Sequence, residues 1–153
     1  MFFPGGCRLC KRLRTNASRV NKHCLEADEV VPGPLHRNRQ KERGYNQVEL
    51  FARPLSRRLK LPFQPILLMR MRPRPEKHLL HYEERWEAVR GAFAMKPEGK
   101  VDNSRILLLD DVMTTGATLD ACAKALSEAR ASSVLGLTVA RAIRPASTEV
   151  VRF

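Results

Sequence analysis

The stretch RILLLDDVMTTGATLDACAKAL (105–126) constrains the fold of this 153-residue chain more than any other part of it. It begins with an apolar run, Ile106 to Leu109, that lacks the polar alternation of a half-exposed strand. Such a run is typical of a strand buried on both faces in a parallel sheet. After a short turn, apolar residues return at the spacing of one helix face, namely Leu119, Cys122, Ala123, Leu126 and Ala129.

Three further stretches predict strands. DEVVPGPLH (28–36) predicts a short strand that enters an irregular loop, because proline and glycine interrupt it. PILLMRM (65–71) and SSVLGLTVARA (132–142) are the other two candidates. Strands that alternate with helices favour the α/β class, with a mostly parallel sheet and helices on both of its faces.

A second helix is predicted for QVELFARPLSRRL (47–59), whose apolar residues at helical spacing are Val48, Phe51, Leu55 and Leu59. Pro54 lies inside this pattern. Proline removes one backbone hydrogen bond and clashes with the carbonyl four residues earlier, at a cost of about 3 kcal/mol, so a kink or an early end is expected. The following stretch 72–93 is charged, lacks a clear strand signal and predicts a long connection of the kind that forms lids or binding loops.

The formal net charge of +12 is unevenly distributed. Residues 97–153 contain seven Lys or Arg and seven Asp or Glu, so the first 96 residues carry the whole excess. A basic half beside a neutral half suggests a polyanionic ligand, either nucleic acid or a polyphosphate. A solvated surface that keeps the protein soluble explains the same charge, and both interpretations stay open.

The length favours one main domain, predicted for residues 30–153, preceded by a basic, cysteine-bearing amino-terminal segment, 1–29. No apolar run approaches the roughly 20 residues that cross a bilayer, so no membrane contact is expected. The first residues lack the order of charge and apolarity of a secretory signal, which favours a cytoplasmic location.

Two adjacent carboxylates, Asp110 and Asp111, follow the buried strand. In an open parallel sheet, ligands bind beyond the carboxyl ends of the strands. Two neighbouring carboxylates repel each other and burial disfavours their charged form, so they need solvent, cations or hydrogen-bond donors. The vicinal hydroxyls of a sugar supply two such donors, and a hydrated magnesium ion is a second candidate partner.

The next segment, TTGAT (114–118), has the opposite polarity. Its backbone N–H groups open the predicted helix, whose dipole favours an anion by about 0.3–1 kcal/mol. Gly116 permits the tight turn, and the threonines add hydroxyl donors. Capping and turn chemistry accounts for single residues of this set but less well for their combination. A ribose 5-phosphate satisfies both the acceptors and the donors.

The order of apolar strand, Asp-Asp and Thr-Thr-Gly resembles the diphosphate-sugar signature of type I phosphoribosyltransferases. VVPGPLHRNRQKERGYNQVEL (30–50) resembles the VPVPLH…RG(F/Y)NQ segment of the ComF family, which comprises phosphoribosyltransferase-like proteins linked to competence. RGAF (90–93) fits the same family. The resemblance spans roughly residues 28–142 and implies a type I phosphoribosyltransferase-like fold.

The resemblance also implies a site for phosphoribosyl pyrophosphate with Mg²⁺. Asp110 and Asp111 would hold the ribose hydroxyls. The groups that would wrap the 5-phosphate belong to Thr114, Thr115, Gly116, Ala117 and Thr118. The basic residues of the loop near the pyrophosphate are His36, Arg37, Arg39 and Arg43. Guanidinium groups suit a pyrophosphate because they bind phosphate oxygens in pairs. Each arginine taken alone is better explained as a solvated charge, and Arg43, in RGYNQ, is the strongest candidate for the site.

Two positions depart from the family pattern, since Lys77 stands where Gln is expected and Ala88 where Asn is expected. The chain resembles a member shortened at the amino end.

Cys7 and Cys10 have the spacing of half a zinc ribbon, and Cys24 is a candidate third ligand, which gives a degenerate zinc site or free thiols. Cys122 is expected to be a small core residue.

The expected activity is transfer of a phosphoribosyl group to a nitrogen nucleophile, a glycosyltransferase reaction of nucleoside metabolism. The acceptor site is expected near Thr138 to Arg141. One alternative is a non-catalytic competence module that binds single-stranded DNA during uptake, although the aromatic residues are too scattered to predict a stacking platform. An inactive, truncated family member is another alternative, and a homo-oligomer is compatible with the sequence.

Overall fold

The computed structural model describes residues 10–12, 26–35, 37–72 and 86–141, with the backbone alone described at 10–12, 37–39 and 141. In chain order the elements are β1 (Cys10–Arg12), β2 (Glu29–Pro32), α1 (Arg37–Arg43), α2 (Gln47–Leu59), β3 (Leu68–Arg70), β4 (Phe93–Met95), β5 (Arg105–Met113), α3 (Ala117–Glu128) and β6 (Ser133–Arg141). Among these elements, no helix is both long enough and apolar enough to span a bilayer.

The main sheet has four parallel strands in the order β1-β6-β5-β2. β5 lies inside the sheet, where Leu107 is opposite Val30 of β2 and Leu135 of β6. The four residues from Ile106 to Leu109 are at most 1% exposed. The predicted buried parallel strand is therefore confirmed, and so is the α/β fold class.

Both faces of this sheet are covered by helices. Successive strand residues point to opposite faces, so β5 supplies two separate cores. Ile106 and Leu108 pack with α3, whose buried residues include Leu119, Cys122, Ala123 and Leu126. Leu107 and Leu109 pack with α2, whose buried residues include Val48, Ala52 and Leu59. The predicted inner faces of both helices, and the core position of Cys122, are thus confirmed.

Of the two outcomes expected at Pro54, a kink or an early end, the early end is wrong, because α2 continues to Leu59. Pro54 and Leu50, four residues earlier, both lie on the exposed face. Water can replace the missing backbone hydrogen bond on that face. The opposite face is anchored in the core along its whole length, which holds the helix together across the proline.

The candidate strand at 65–71 forms β3, but β3 does not join the parallel sheet. It pairs antiparallel with β4, with Leu68 opposite Met95 and Arg70 opposite Phe93. The sequence predicted no strand at β4, since three residues are too few to show a period. Leu68 and Phe93 are buried in the same cluster as α3, so this small sheet packs on the α3 side of the molecule.

The carboxyl ends of the neighbouring strands β2 and β5 position the candidate site. The β2–β5 ladder ends where Pro32 is opposite Leu109, whereas β5 continues beside β6 to the pair Met113 and Arg141. Asp110 and Asp111 were predicted at the end of this strand and lie within β5, where β2 has already ended. β1, which the sequence did not predict, pairs with β6 from Cys10 opposite Val134 onward. The proposed boundary between 1–29 and 30–153 stays a prediction.

Candidate functional site

A cleft of about 210 Å³ opens at the carboxyl ends of β2 and β5. Pockets that enclose a drug-sized ligand start at roughly 300 Å³, so this cleft holds one part of a ligand while the rest extends outward. Three segments contribute most of its lining, namely 33–35 after β2, 46–48 at the start of α2, and 110–119 from β5 into α3. Arg43 and Arg70 complete the lining.

Asp110 and Asp111 both line this cleft and are both partly exposed. The Oδ1 atom of Asp110 accepts a hydrogen bond of 2.9 Å from the backbone N–H of Asp111. The Oδ1 atom of Asp111 accepts one of 2.7 Å from the N–H of Val112. These bonds hold both carboxylates at the rim of the sheet, where a ligand with paired hydroxyl donors can reach them.

The segment 114–118 forms the turn between β5 and α3. Gly116 is the N-cap residue of α3 and has a φ of 85°, a left-handed conformation that favours glycine. The Thr115 hydroxyl accepts a hydrogen bond of 3.3 Å from the N–H of Ala117. The first N–H groups of a helix have no acceptor within the helix, so this turn places the start of α3, with such donors, at the cleft that it lines. All five predicted residues of the segment line it.

Gly33, directly after β2, lies close to β5 beside Asp110. Its N–H donates a hydrogen bond of 2.7 Å to the carbonyl of Leu109. A Cβ atom at this position would lie 3.1 Å from that carbonyl oxygen and 3.5 Å from Oδ1 of Asp110. The missing side chain therefore leaves room at the Asp110 carboxylate.

Asn46 connects two walls of the cleft. Its Oδ1 atom accepts a hydrogen bond of 3.1 Å from the N–H of Val48, which caps α2. Its Nδ2 atom donates a hydrogen bond of 3.0 Å to the carbonyl of Gly33. The residue is 7% exposed, so both bonds are shielded from water. Asn46 thereby fixes the start of α2 against the turn that follows β2.

We expect Asn46→Ser to lower the free energy of unfolding by about 1–2 kcal/mol. Serine keeps the N-cap, since its hydroxyl can accept from the Val48 N–H, but it is too short to replace the amide donor. Asn46→Ala loses the cap as well and should cost roughly 1 kcal/mol more. Urea denaturation measures both differences. A serine variant as stable as the native chain would show that the bond to Gly33 contributes nothing.

The predicted basic residues are only partly described. Arg43 lies at the end of α1, is exposed and lines the cleft. Arg37 begins α1, but its side chain, like that of Arg39, lies outside the described residues. His36 lies outside them altogether. The structure thus brings Arg43 together with the carboxylates and the threonine turn.

Arg70 lines the cleft although the sequence did not point to it. Its Nε atom donates a hydrogen bond of 2.9 Å to the carbonyl of Arg72. Its guanidinium carbon lies 5.0 Å from the centre of the Phe93 ring, a cation–π distance. A lone arginine in a candidate strand gives no signal of this kind, because its position depends on how β3 packs. Asn46 and Gln47 were in the quoted GYNQ motif but were not among the predicted site residues.

The candidate metal ligands differ in how far they can be placed. Cys7 and Cys24 lie outside the described residues, and the backbone of Cys10 lies on β1, so the zinc site stays a prediction. In the part of the chain that the structure describes, no group of three or more His, Cys, Asp or Glu residues could hold a metal ion. Mg²⁺ usually takes one or two carboxylates plus phosphate oxygens, so Asp110 and Asp111 fit an ion that arrives with a phosphate ligand.

The sequence of this chain is similar to those of known proteins. The sequence model of the phosphoribosyl transferase domain family matches residues 49–153. Competence protein F of Haemophilus influenzae is 32% identical over 122 residues, which is 78% of this chain and 53% of the relative. DNA utilization protein YhgH of Escherichia coli K12 is 33% identical over 107 residues, which is 70% of this chain and 46% of the relative.

Competence protein ComFC of Bacillus subtilis is 34% identical over 113 residues, which is 73% of this chain and 44% of the relative. The chain spans about half the length of the curated relatives it matches.

Proposed function

Since the chain belongs to the phosphoribosyl transferase domain family, and within it to the ComF proteins, we propose that it binds magnesium–phosphoribosyl pyrophosphate in this cleft. The observation that carries the proposal is that Asp110, Asp111 and the turn 114–118 line one cavity. The carboxylates accept hydrogen bonds from the two ring hydroxyls of the ribose. The backbone and threonine donors of the turn bind the 5-phosphate at the start of α3.

The chemistry that this arrangement supports is displacement at the anomeric carbon. The bond from that carbon to pyrophosphate breaks, a bond to a nitrogen nucleophile forms, and the pyrophosphate leaves with the electron pair. Mg²⁺ would neutralise part of the charge on the pyrophosphate. Arg43 would stabilise the leaving group by charge, and the carboxylates would hold the sugar in place for attack.

The acceptor would enter near Thr138 to Arg141, since Thr138 is opposite Asp110 in the β5–β6 ladder. With a nucleobase as acceptor, the reaction would belong to nucleoside metabolism. We place it in the cytoplasm, and a homo-oligomer remains compatible with it. These assignments belong to the proposal.

Isothermal titration calorimetry with phosphoribosyl pyrophosphate and Mg²⁺ tests the binding step. We expect saturable binding of one ligand per chain and weaker binding of ribose 5-phosphate, which lacks the pyrophosphate. Unphosphorylated ribose is the matched control and should give no measurable heat. Absence of binding at millimolar ligand would contradict the proposal. Binding without pyrophosphate release in the presence of any nucleobase would restrict the function to a binding module.

A second candidate function, binding of single-stranded DNA, is favoured by the exposed side of α2. Arg53, Arg57 and Arg58 on α2 and Lys60 at its C-cap are all exposed. Such a basic stripe suits the phosphate backbone of a nucleic acid. The names competence protein and DNA utilization protein, which belong to the relatives, point in the same direction.

If this stripe binds single-stranded DNA, Arg57→Ala/Arg58→Ala should weaken that binding and lower the slope of log K against log salt by about 1.4, since each phosphate contact contributes about 0.7. Binding of phosphoribosyl pyrophosphate should not change. Lys100→Ala/Lys124→Ala removes the same charge from exposed positions outside α2 and serves as the control. Fluorescence anisotropy at several salt concentrations measures the slopes. Equal slopes for both double variants would exclude α2 as the DNA-binding surface.

A further inference from the structure

Two arginines reach the cleft from different sides. Arg43 belongs to α1, which follows β2, and approaches from the side of the turn at Gly33. Arg70 belongs to β3 of the small antiparallel sheet, outside the parallel sheet altogether. Among the side chains that the structure describes, the main sheet and its connections therefore provide Arg43, and the small sheet provides Arg70.

The Arg70 guanidinium is held in a defined orientation. Phe93, on the paired strand β4, is 7% exposed and lies beneath the guanidinium at 5.0 Å. The bond from Nε to the Arg72 carbonyl fixes the plane of the group. The Nη2 atom is buried. A cation oriented in this way loses little conformational freedom when it binds an anion, which favours a role in ligand recognition.

Several observations place Arg70 on the α3 side of the cleft. β4 packs against α3, and Phe93 shares a core cluster with Leu119 and Cys122 of that helix. Burial raises the pKa of the Cys122 thiol well above its ordinary value; the Asp110 carboxylate raises this pKa further and the Arg70 guanidinium lowers it. Both charges therefore lie near the first two turns of α3, the helix whose start carries the threonine turn.

We propose that Arg70 binds the 5-phosphate of the sugar phosphate from the α3 side, together with the backbone donors of Gly116 and Thr118. This inference rests on the proposed function and divides its two anionic groups between two arginines: Arg70 binds the 5-phosphate and Arg43 the pyrophosphate. A positive charge is needed at this position, because a phosphate dianion must bind close to the two carboxylates that hold the ribose. A fixed guanidinium at the edge of the cleft offsets that repulsion with its positive charge.

Three ligands separate the two roles, namely ribose 5-phosphate, pyrophosphate with Mg²⁺, and phosphoribosyl pyrophosphate with Mg²⁺. Arg70→Gln should weaken binding of ribose 5-phosphate and of phosphoribosyl pyrophosphate by about 10-fold or more, and by the same factor, since one charge-assisted contact is lost from each. Binding of pyrophosphate should not change. Arg43→Gln should give the complementary pattern, with pyrophosphate binding weakened and ribose 5-phosphate binding unchanged.

Arg72→Gln is the matched control, because Arg72 is exposed, lies two residues away and does not line the cleft. Arg70→Lys keeps the charge without the planar guanidinium group and should recover only part of the affinity.

The three ligands also control for folding, since a damaged fold would weaken the binding of all of them. If the native chain binds ribose 5-phosphate and Arg70→Gln binds it equally well, this inference is overturned while the proposed function stands. If the native chain binds none of the three ligands, both are overturned.

Discussion

The variant Asp110→Asn/Asp111→Asn should lose measurable binding of magnesium–phosphoribosyl pyrophosphate while it remains folded. Each carboxylate is proposed to accept a charge-assisted hydrogen bond from a ribose hydroxyl, and such bonds contribute about 1.5–3 kcal/mol each. Loss of both charges should weaken binding by about 100-fold or more. Asparagine preserves the size of the side chain and an oxygen that can accept from the backbone N–H groups of residues 111 and 112.

The double variant should remain folded, because both positions are partly exposed and asparagine keeps an acceptor for the same backbone N–H groups. Glu98→Gln/Asp102→Asn removes the same charge at two exposed positions away from the cleft and controls for the change in net charge. Calorimetric titration and thermal unfolding measure the two quantities. If the asparagine variant binds as tightly as the native chain, the carboxylates do not hold the sugar.

Gly116→Ala should reduce both stability and ligand binding. The residue has a φ of 85°, and a side chain in this left-handed conformation costs roughly 1–2 kcal/mol. Relief of that strain would turn the backbone donors at the start of α3 away from the cleft. We therefore expect phosphoribosyl pyrophosphate to bind at least about 10-fold more weakly, which corresponds to the loss of one charge-assisted hydrogen bond.

The control variant Gly91→Ala separates the loss of stability from the loss of ligand binding. Gly91 also has a positive φ, 64°, and a Cβ atom there would meet nothing within 4 Å. It does not line the cleft. The two alanine variants should therefore lose similar stability in urea denaturation, whereas binding should fall only for Gly116→Ala. Equal binding losses in both variants would mean that the turn at 114–118 has no particular part in recognition.

The unit from β5 through α3 to β6 was predictable because its pattern is long and locally consistent. The run Ile106 to Leu109 has no polar alternation, and the apolar residues of α3 follow a helical period. β1 and β4 each have only three residues, which is too short to show any period. β3 is equally short but was predictable because it lies in a longer apolar run, PILLM (65–69). The passage of α2 through Pro54 was not predictable either, since it depends on which face of the helix packs on the sheet.

The sequence likewise predicted one part of the candidate site and not the other. The carboxylates and the threonine turn are adjacent in sequence, so their order alone suggested a sugar phosphate. The bond between Asn46 and Gly33 joins residues 13 positions apart, and its existence depends on how α1 and α2 return to the end of β2. Arg70 reaches the cleft only because β3 pairs with β4 and β4 packs on α3. Local sequence patterns do not predict contacts that depend on how distant elements pack.

Amide hydrogen exchange with and without magnesium–phosphoribosyl pyrophosphate tests the location of the site most directly. The account predicts slower exchange across residues 110–118 at saturating ligand, with the carboxyl-terminal part of α2, residues 50–59, unchanged. Ribose, which lacks both anionic groups, should leave the exchange pattern as it is in the free chain. Unchanged exchange at 110–118 under saturating ligand, or protection confined to α2, would contradict the central claim.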